Sequence, residues 1–137
     1  MDPLNAAMAV GASGMRAQSL RLRVVAENIA NAETTAATPG GDPYRRKTVT
    51  FASTLDRAIG AEVVGISRVG TDPGPFQLAY DPSHPAADAG GYVKTPNVNT
   101  VIEMADMREA SRSYEANLSV IEQARAMLSR TVDMLRG

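Results

Sequence analysis

The sequence predicts a mostly α protein in which two long, heptad-bearing terminal helices pack as an antiparallel coiled coil around a short, irregular, β-rich Gly/Pro insertion. Three observations predict it. Apolar residues recur every seven positions near the N-terminus, they do so again near the C-terminus, and the composition changes abruptly between the two stretches. The expected spans are 1–32 for the first helix, 33–99 for the insertion and 100–137 for the second helix, together forming one domain.

The first helix is expected from about Pro3 to Asn31. Asp2 can cap it, and Pro3 suits the first helical position because its missing N–H would have had no partner there. Met1, Met8, Met15, Leu22 and Ile29 then mark a seven-residue seam, with Leu4, Val25 and Ala32 on the adjoining row. Gly11 and Gln18 interrupt that second row. Each glycine within Gly11-Ala12-Ser13-Gly14 costs a helix about 1 kcal/mol relative to alanine. The patch is therefore expected either to kink the helix or to admit the backbone of another one closely, and the second alternative is favoured.

The insertion holds seven of the eight prolines and eight of the eleven glycines. Strand-like runs are expected at Tyr44–Phe51 and Ala61–Val69, with an extended stretch near Phe76–Tyr80. Asp72-Pro73-Gly74 and Asp81-Pro82 are turn signals. Phe51, Leu55 and Ile59 recur at four-residue intervals, which predicts a short helix after the first strand.

The second helix is expected from Thr100 to Arg136. Thr100-Val101-Ile102-Glu103 has the form of a capping box. Met107, Tyr114, Ile121, Leu128 and Leu135 repeat every seven residues, and Leu118 and Val132 add a second row beside Ser111 and Arg125. At 1.5 Å per residue this helix spans roughly 55 Å, long for a domain of this size, so its apolar stripe is expected to find a partner.

Composition narrows the function classes. The formal net charge is −1, so no global basic field exists to hold nucleic acid; Arg45-Arg46-Lys47 is expected to be a solvated or subunit-facing strand segment. The absence of cysteine removes disulfide and thiolate chemistry. No apolar run approaches a membrane span, so direct membrane insertion is not expected. Met1-Asp2-Pro3 carries no basic n-region, which leaves residence in the cytoplasm or exit without a cleavable signal.

Catalytic signatures are sparse. His84, the single histidine, lies in the loop Tyr80-Asp81-Pro82-Ser83-His84-Pro85 without a ligand set around it. No serine sits in an elbow context, and no glycine loop precedes a phosphate-binding lysine. No catalytic, metal or cofactor site is expected, and no cofactor. Three classes stay open: a structural subunit of a helical assembly, an adaptor that pairs with one partner, and an enzyme whose site leaves no sequence trace.

Several blocks carry a family resemblance. Ala12-Ser13-Gly14-Met15-Arg16-Ala17-Gln18, Leu20-Arg21-Leu22 and Glu27-Asn28-Ile29-Ala30-Asn31-Ala32 resemble the N-terminal signature of flagellar rod and hook axial proteins. Pro43-Tyr44-Arg45-Arg46-Lys47, the Tyr80–Pro85 block and Gly91-Tyr92-Val93-Lys94-Thr95-Pro96-Asn97-Val98-Asn99 narrow the likeness to the proximal-rod subunits. Glu103-Met104-Ala105-Asp106-Met107 and Arg112-Ser113-Tyr114-Glu115-Ala116-Asn117 extend it along the chain.

The resemblance implies a structural subunit of the basal-body rod, the drive shaft that carries torque to hook and filament. It implies export from the cytoplasm by the flagellar type III apparatus and residence in the rod across the periplasm. The implied partners are other copies of the chain, other rod subunits, adjoining ring and adaptor proteins, and the export gate. Met8, Met15, Leu22, Ile29, Met107, Tyr114, Ile121, Leu128 and Leu135 are the expected subunit-interface seam. Phe51 and Leu55 are similar to the aromatic-plus-aliphatic motif that engages the export gate, although both also suit packing.

Overall fold

A computed structural model describes residues 2–137; Met1, the first member of the N-terminal heptad, lies outside the described residues. The elements run α1 (Pro3–Ala30), β1 (Lys47–Asp56), β2 (Ala61–Thr71), β3 (Gln77–Tyr80), β4 (Tyr92–Thr95) and α2 (Thr100–Arg136). The strands form two separate two-stranded sheets, β1 with β2 and β3 with β4. No described helix is long and apolar enough to cross a membrane.

The predicted fold class is overturned. Strand accounts for 21% of the chain, and the protein is mixed α/β rather than a mostly α antiparallel coiled coil. The middle segment alternates β-formers along Thr48–Phe51 and Glu62–Ile66, enough for a hairpin. Gly60 (φ 67°) supplies the left-handed turn between its strands. Phe51 and Leu55 lie on β1 and share one of its faces, while Ile59 sits in the turn, so the short helix predicted from their spacing is absent. The two-residue period of a strand and the four-residue spacing of a helix coincide at positions 51 and 55.

The chain divides into two compact units. The first comprises residues 1–22, 50–68 and 108–137. Its buried positions are mostly small: Gly11, Ser13, Gly14 and Ala17 on α1, Ala110 and Ala124 on α2. A Cβ added to Gly11 would lie 2.9 Å from Ile121 Cγ1 and 3.3 Å from the Asn117 carbonyl oxygen. One on Gly14 would lie 2.5 Å from the Asn117 side chain. The Gly-Ala-Ser-Gly patch is thus a place of close helix approach. Large apolar side chains on both sides of the contact define a coiled coil; here Gly11 and Gly14 of α1 face Asn117 and one member of the predicted heptad row, Ile121.

The second unit comprises residues 23–49 and 69–107. Its core holds Val24, Val25, Ala86, Val93 and Val98. β3 and β4 pair antiparallel with Gln77 opposite Thr95 and Tyr80 opposite Tyr92. Val93 points into the core, whereas Leu78, Tyr80 and Tyr92 lie on the open face. Asp88 organises the connecting loop by accepting the N–H groups of Gly90 and Tyr92.

Both helix starts are capped, one as predicted. Asp2 Oδ1 accepts the Leu4 N–H at 3.0 Å. At α2 the cap is Asn99, whose Oδ1 accepts from Val101 and Ile102. The expected Thr100–Glu103 capping box is not formed: Thr100 is already helical, and the Glu103 carboxylate turns inward to other partners.

Candidate functional site

In the second unit, residues distant in sequence close on a buried polar cluster. Asn28 and Glu103 are each only 1% exposed. Asn28 Nδ2 donates to the Lys47 carbonyl at 2.9 Å and to Glu103 Oε2 at 3.3 Å. Asn28 Oδ1 accepts the Lys47 N–H at 2.9 Å and the Tyr44 hydroxyl at 2.7 Å. Arg46 Nε donates to Glu103 Oε1, and its backbone N–H donates to Asn97 Oδ1 at 2.8 Å. No buried side-chain polar atom among the described residues lacks a partner. A fully satisfied cluster of this kind rigidifies a core and specifies one arrangement.

Arg45 completes the join. Its guanidinium donates to the Asp72 and Gly74 carbonyls at 2.7 and 2.8 Å and stacks over Phe76 at 4.1 Å. Asn97 Nδ2 donates to the same two carbonyls. Lys47 Nζ reaches Glu27 at 2.9 Å. That bond holds the Glu27 carboxyl below the usual carboxylate range and the Lys47 ammonium above the usual lysine range. Burial pushes the Tyr44 phenol up, and the hydrogen bond to Glu103 does the same for the Arg46 guanidinium. Of the Arg45-Arg46-Lys47 run, expected to be solvated or subunit-facing, the Arg45 and Arg46 side chains are tied internally, whereas the Lys47 ammonium pairs with Glu27 at the solvent-exposed surface.

In the first unit, Ser13 Oγ donates to the Val10 carbonyl at 2.7 Å and accepts the Val64 N–H at 3.2 Å, which seats β2 on α1. The Arg21 guanidinium lies 5.9 Å from the Phe51 ring and 3.4 Å from Glu109. Of the predicted seam residues, Met8, Met15, Leu22, Ile29, Met107, Tyr114, Ile121 and Leu128 are half-buried, and Leu135 is exposed. Phe51 and Leu55 are exposed on β1. His84 Nδ1 accepts the Ala86 N–H within its own loop. An open groove runs past Ile29, Ala32, Gln77, Thr95 and Val98; Glu33 is the one ionisable group on its described wall.

Two family profiles match the chain: "Flagella basal body rod protein" over residues 8–38 and "Flagellar basal body rod FlgEFG protein C-terminal" over residues 89–134. The flagellar basal-body rod protein FlgC of Agrobacterium fabrum is 59% identical over 137 residues, covering 100% of this chain and 99% of the relative. The chain belongs to the FlgC family of flagellar basal-body rod proteins. FlgC of Salmonella typhimurium is 42% identical, with 91% of this chain and 92% of the relative covered. FlgC of Borreliella burgdorferi is 40% identical, with 93% and 95% covered. The protein is a structural subunit of the flagellar basal body, not an enzyme, and it associates there with other basal-body components.

Sequence reasoning missed two features of this rod protein. Asn28 and Glu103 stood inside recognisable blocks, but nothing local marked them as mutual partners 75 residues apart. Val120, Met127 and Met134 form an exposed row on α2 at seven-residue spacing, one position before the row chosen from the heptad. Their period was legible, and their exposure was not.

Proposed function

We propose that this rod protein builds the proximal rod and carries torque through it, with its two helices joining neighbouring subunits. The observation that carries this reading is the uncovered apolar surface of α2, where Leu135 is 84% exposed and Met134 82%. Apolar stripes of that kind are association surfaces. The seam Met8, Met15, Leu22, Ile29, Met107, Tyr114, Ile121, Leu128 and Leu135 meets other copies of the chain and other rod subunits. Ring and adaptor proteins adjoin the rod, and the chain reaches it through the flagellar export gate.

Phe51 and Leu55 are the proposed gate contact. Both are exposed on β1, which supports accessibility, although an extended strand presents them differently from a free segment. The test uses a strain lacking the native protein, with motility and subunit fractionation as readouts. Leu128→Asp is expected to be delivered to the export apparatus and to block rod extension, since a charge placed in an apolar contact costs several kcal/mol, of order 3 or more. Phe51→Ala and Leu55→Ala are expected to accumulate in the cytoplasm. Normal swimming by Leu128→Asp removes the seam; normal export of an unstable Phe51→Ala assigns Phe51 to packing alone.

A further inference from the structure

We infer that the open face of the β3–β4 sheet is a docking site for the C-terminal third of α2 from a second copy of the chain. The contact is head-to-tail and rests on the proposal that copies adjoin in the rod. On the sheet side, Leu78 is 64% exposed, Tyr80 is 68% exposed, and Tyr92 packs edge-on against Tyr80 with ring centroids 5.2 Å apart. On the sheet's other face Val93 is buried in the core, while Gln77 and Ala79 stay exposed. Edge-to-face tyrosines offer a rigid, amphipathic platform that loses little conformational entropy on binding.

The rim of this platform is acidic. Asp81 directly follows Tyr80, Asp88 sits in the loop that returns to Tyr92, and Asp42 is held by Lys94 at 3.3 Å. That ion pair takes up the lysine charge on β4, leaving Asp81 and Asp88 as the excess. An occupant should therefore combine apolar side chains with a cation. The end of α2 has this chemistry: Met127, Arg130 and Met134 fall at i, i+3 and i+7, so the guanidinium stands between two exposed methionines on one stripe. Methionine adapts to aromatic surfaces, and arginine is attracted both to tyrosine faces and to carboxylates. Because the two surfaces differ and belong to one chain, the contact is heterologous and propagates from copy to copy.

The chain contains no cysteine, so engineered thiols report this contact without background. Rods are purified from a strain whose native subunit is replaced by Tyr80→Cys/Met134→Cys, oxidised, and examined by denaturing electrophoresis. The expected result is a ladder of dimers, trimers and longer species, because a disulfide requires Cα atoms within about 7 Å. Co-expressed single variants should give dimers only, and each single variant alone none. Leu78→Cys replaces Tyr80→Cys as a second probe of the same face, and Arg57→Cys, at the β1–β2 turn, serves as the control partner for Met134→Cys. Cross-linking no greater than this control in recovered rods overturns the inference while leaving the rod reading intact. So does dimerisation of Tyr80→Cys alone, which signals a two-fold contact, or cross-linking only to a different protein. Absence of the wild-type chain from basal bodies overturns both.

Discussion

The side-chain amide of Asn28 pairs with both backbone groups of Lys47, accepting its N–H at 2.9 Å and donating to its carbonyl at 2.9 Å. A single side chain thereby does for β1's first residue what a neighbouring strand does elsewhere. The same amide meets Glu103, so the end of α1, the start of β1 and the start of α2 are joined at one point. Several outcomes follow from this and from the close helix contact in the first unit.

Asn28→Ala leaves the Lys47 backbone groups, the Tyr44 hydroxyl and one Glu103 oxygen short of a partner. Each orphaned buried group costs about 1–3 kcal/mol, so a loss of about 3 kcal/mol or more is expected in denaturant unfolding of the full chain. Asn28→Asp is expected to be worse near neutral pH, because it sets a second carboxylate beside Glu103.

Glu103→Ala strips Arg46 of its buried counter-charge but leaves it partly open to solvent beside Asp72 at 3.4 Å, so a loss of about 1–3 kcal/mol is expected. The paired replacement Glu103→Leu/Arg46→Met is expected to recover part of that loss. The double-mutant cycle read by chemical denaturation checks it; additive single effects would show that the two side chains do not depend on each other.

Gly14→Ala drives a methyl into the Asn117 side chain, and overpacking of this kind costs about 1–3 kcal/mol. Asn117→Ala removes the obstruction. The combination Gly14→Ala/Asn117→Ala is therefore expected to be more stable than the sum of the single effects implies, as thermal unfolding of the three variants will show. Gly11→Ala has no such rescue, because the Asn117 backbone oxygen is among its neighbours.

The Glu27–Lys47 pair makes stability depend on pH at both ends. The Glu27 carboxyl is held low, so its contribution is present above the usual carboxylate range and disappears as pH falls through the folded-state value. Lys47 is held high, so its contribution is complete below the usual lysine range and disappears as pH rises through the folded-state value. Tyr44 adds to the alkaline loss, because burial disfavours the phenolate. Glu27→Gln is expected to flatten part of the acid limb of a melting-temperature profile, and added salt to reduce the difference from wild type, since the pair is solvent-exposed.

Amide exchange will separate the end of α2 from the rest. Residues 125–137 are exposed apart from Leu128, so this stretch has little tertiary packing to hold it helical in a free chain. It is expected to exchange rapidly in the monomer and to become protected in assembled rods, while amides around Val24, Val25 and Val93 stay protected in both.

The family blocks, the two long helices, the Asp2 cap and the small-residue patch on α1 were all legible in the sequence. Each is written locally: a helix declares itself in a 3.6-residue period, a cap in one side chain beside its own first turn, and a signature in consecutive letters. Tertiary structure decided how those pieces are used. The close helix contact sets Gly11 and Gly14 against Ile121 and Asn117, because close backbone approach depends on which small residues face each other. Glu103, which local spacing placed in a capping box, was drawn instead to Arg46 and Asn28, where burial strengthens an ionic hydrogen bond that no neighbouring residue supplies. Phe51 and Leu55, at a spacing that both helix and strand place on one face, became strand when β2 arrived to pair with β1. Partners brought together from distant positions settled these choices, and single-residue periodicity contains no information about them.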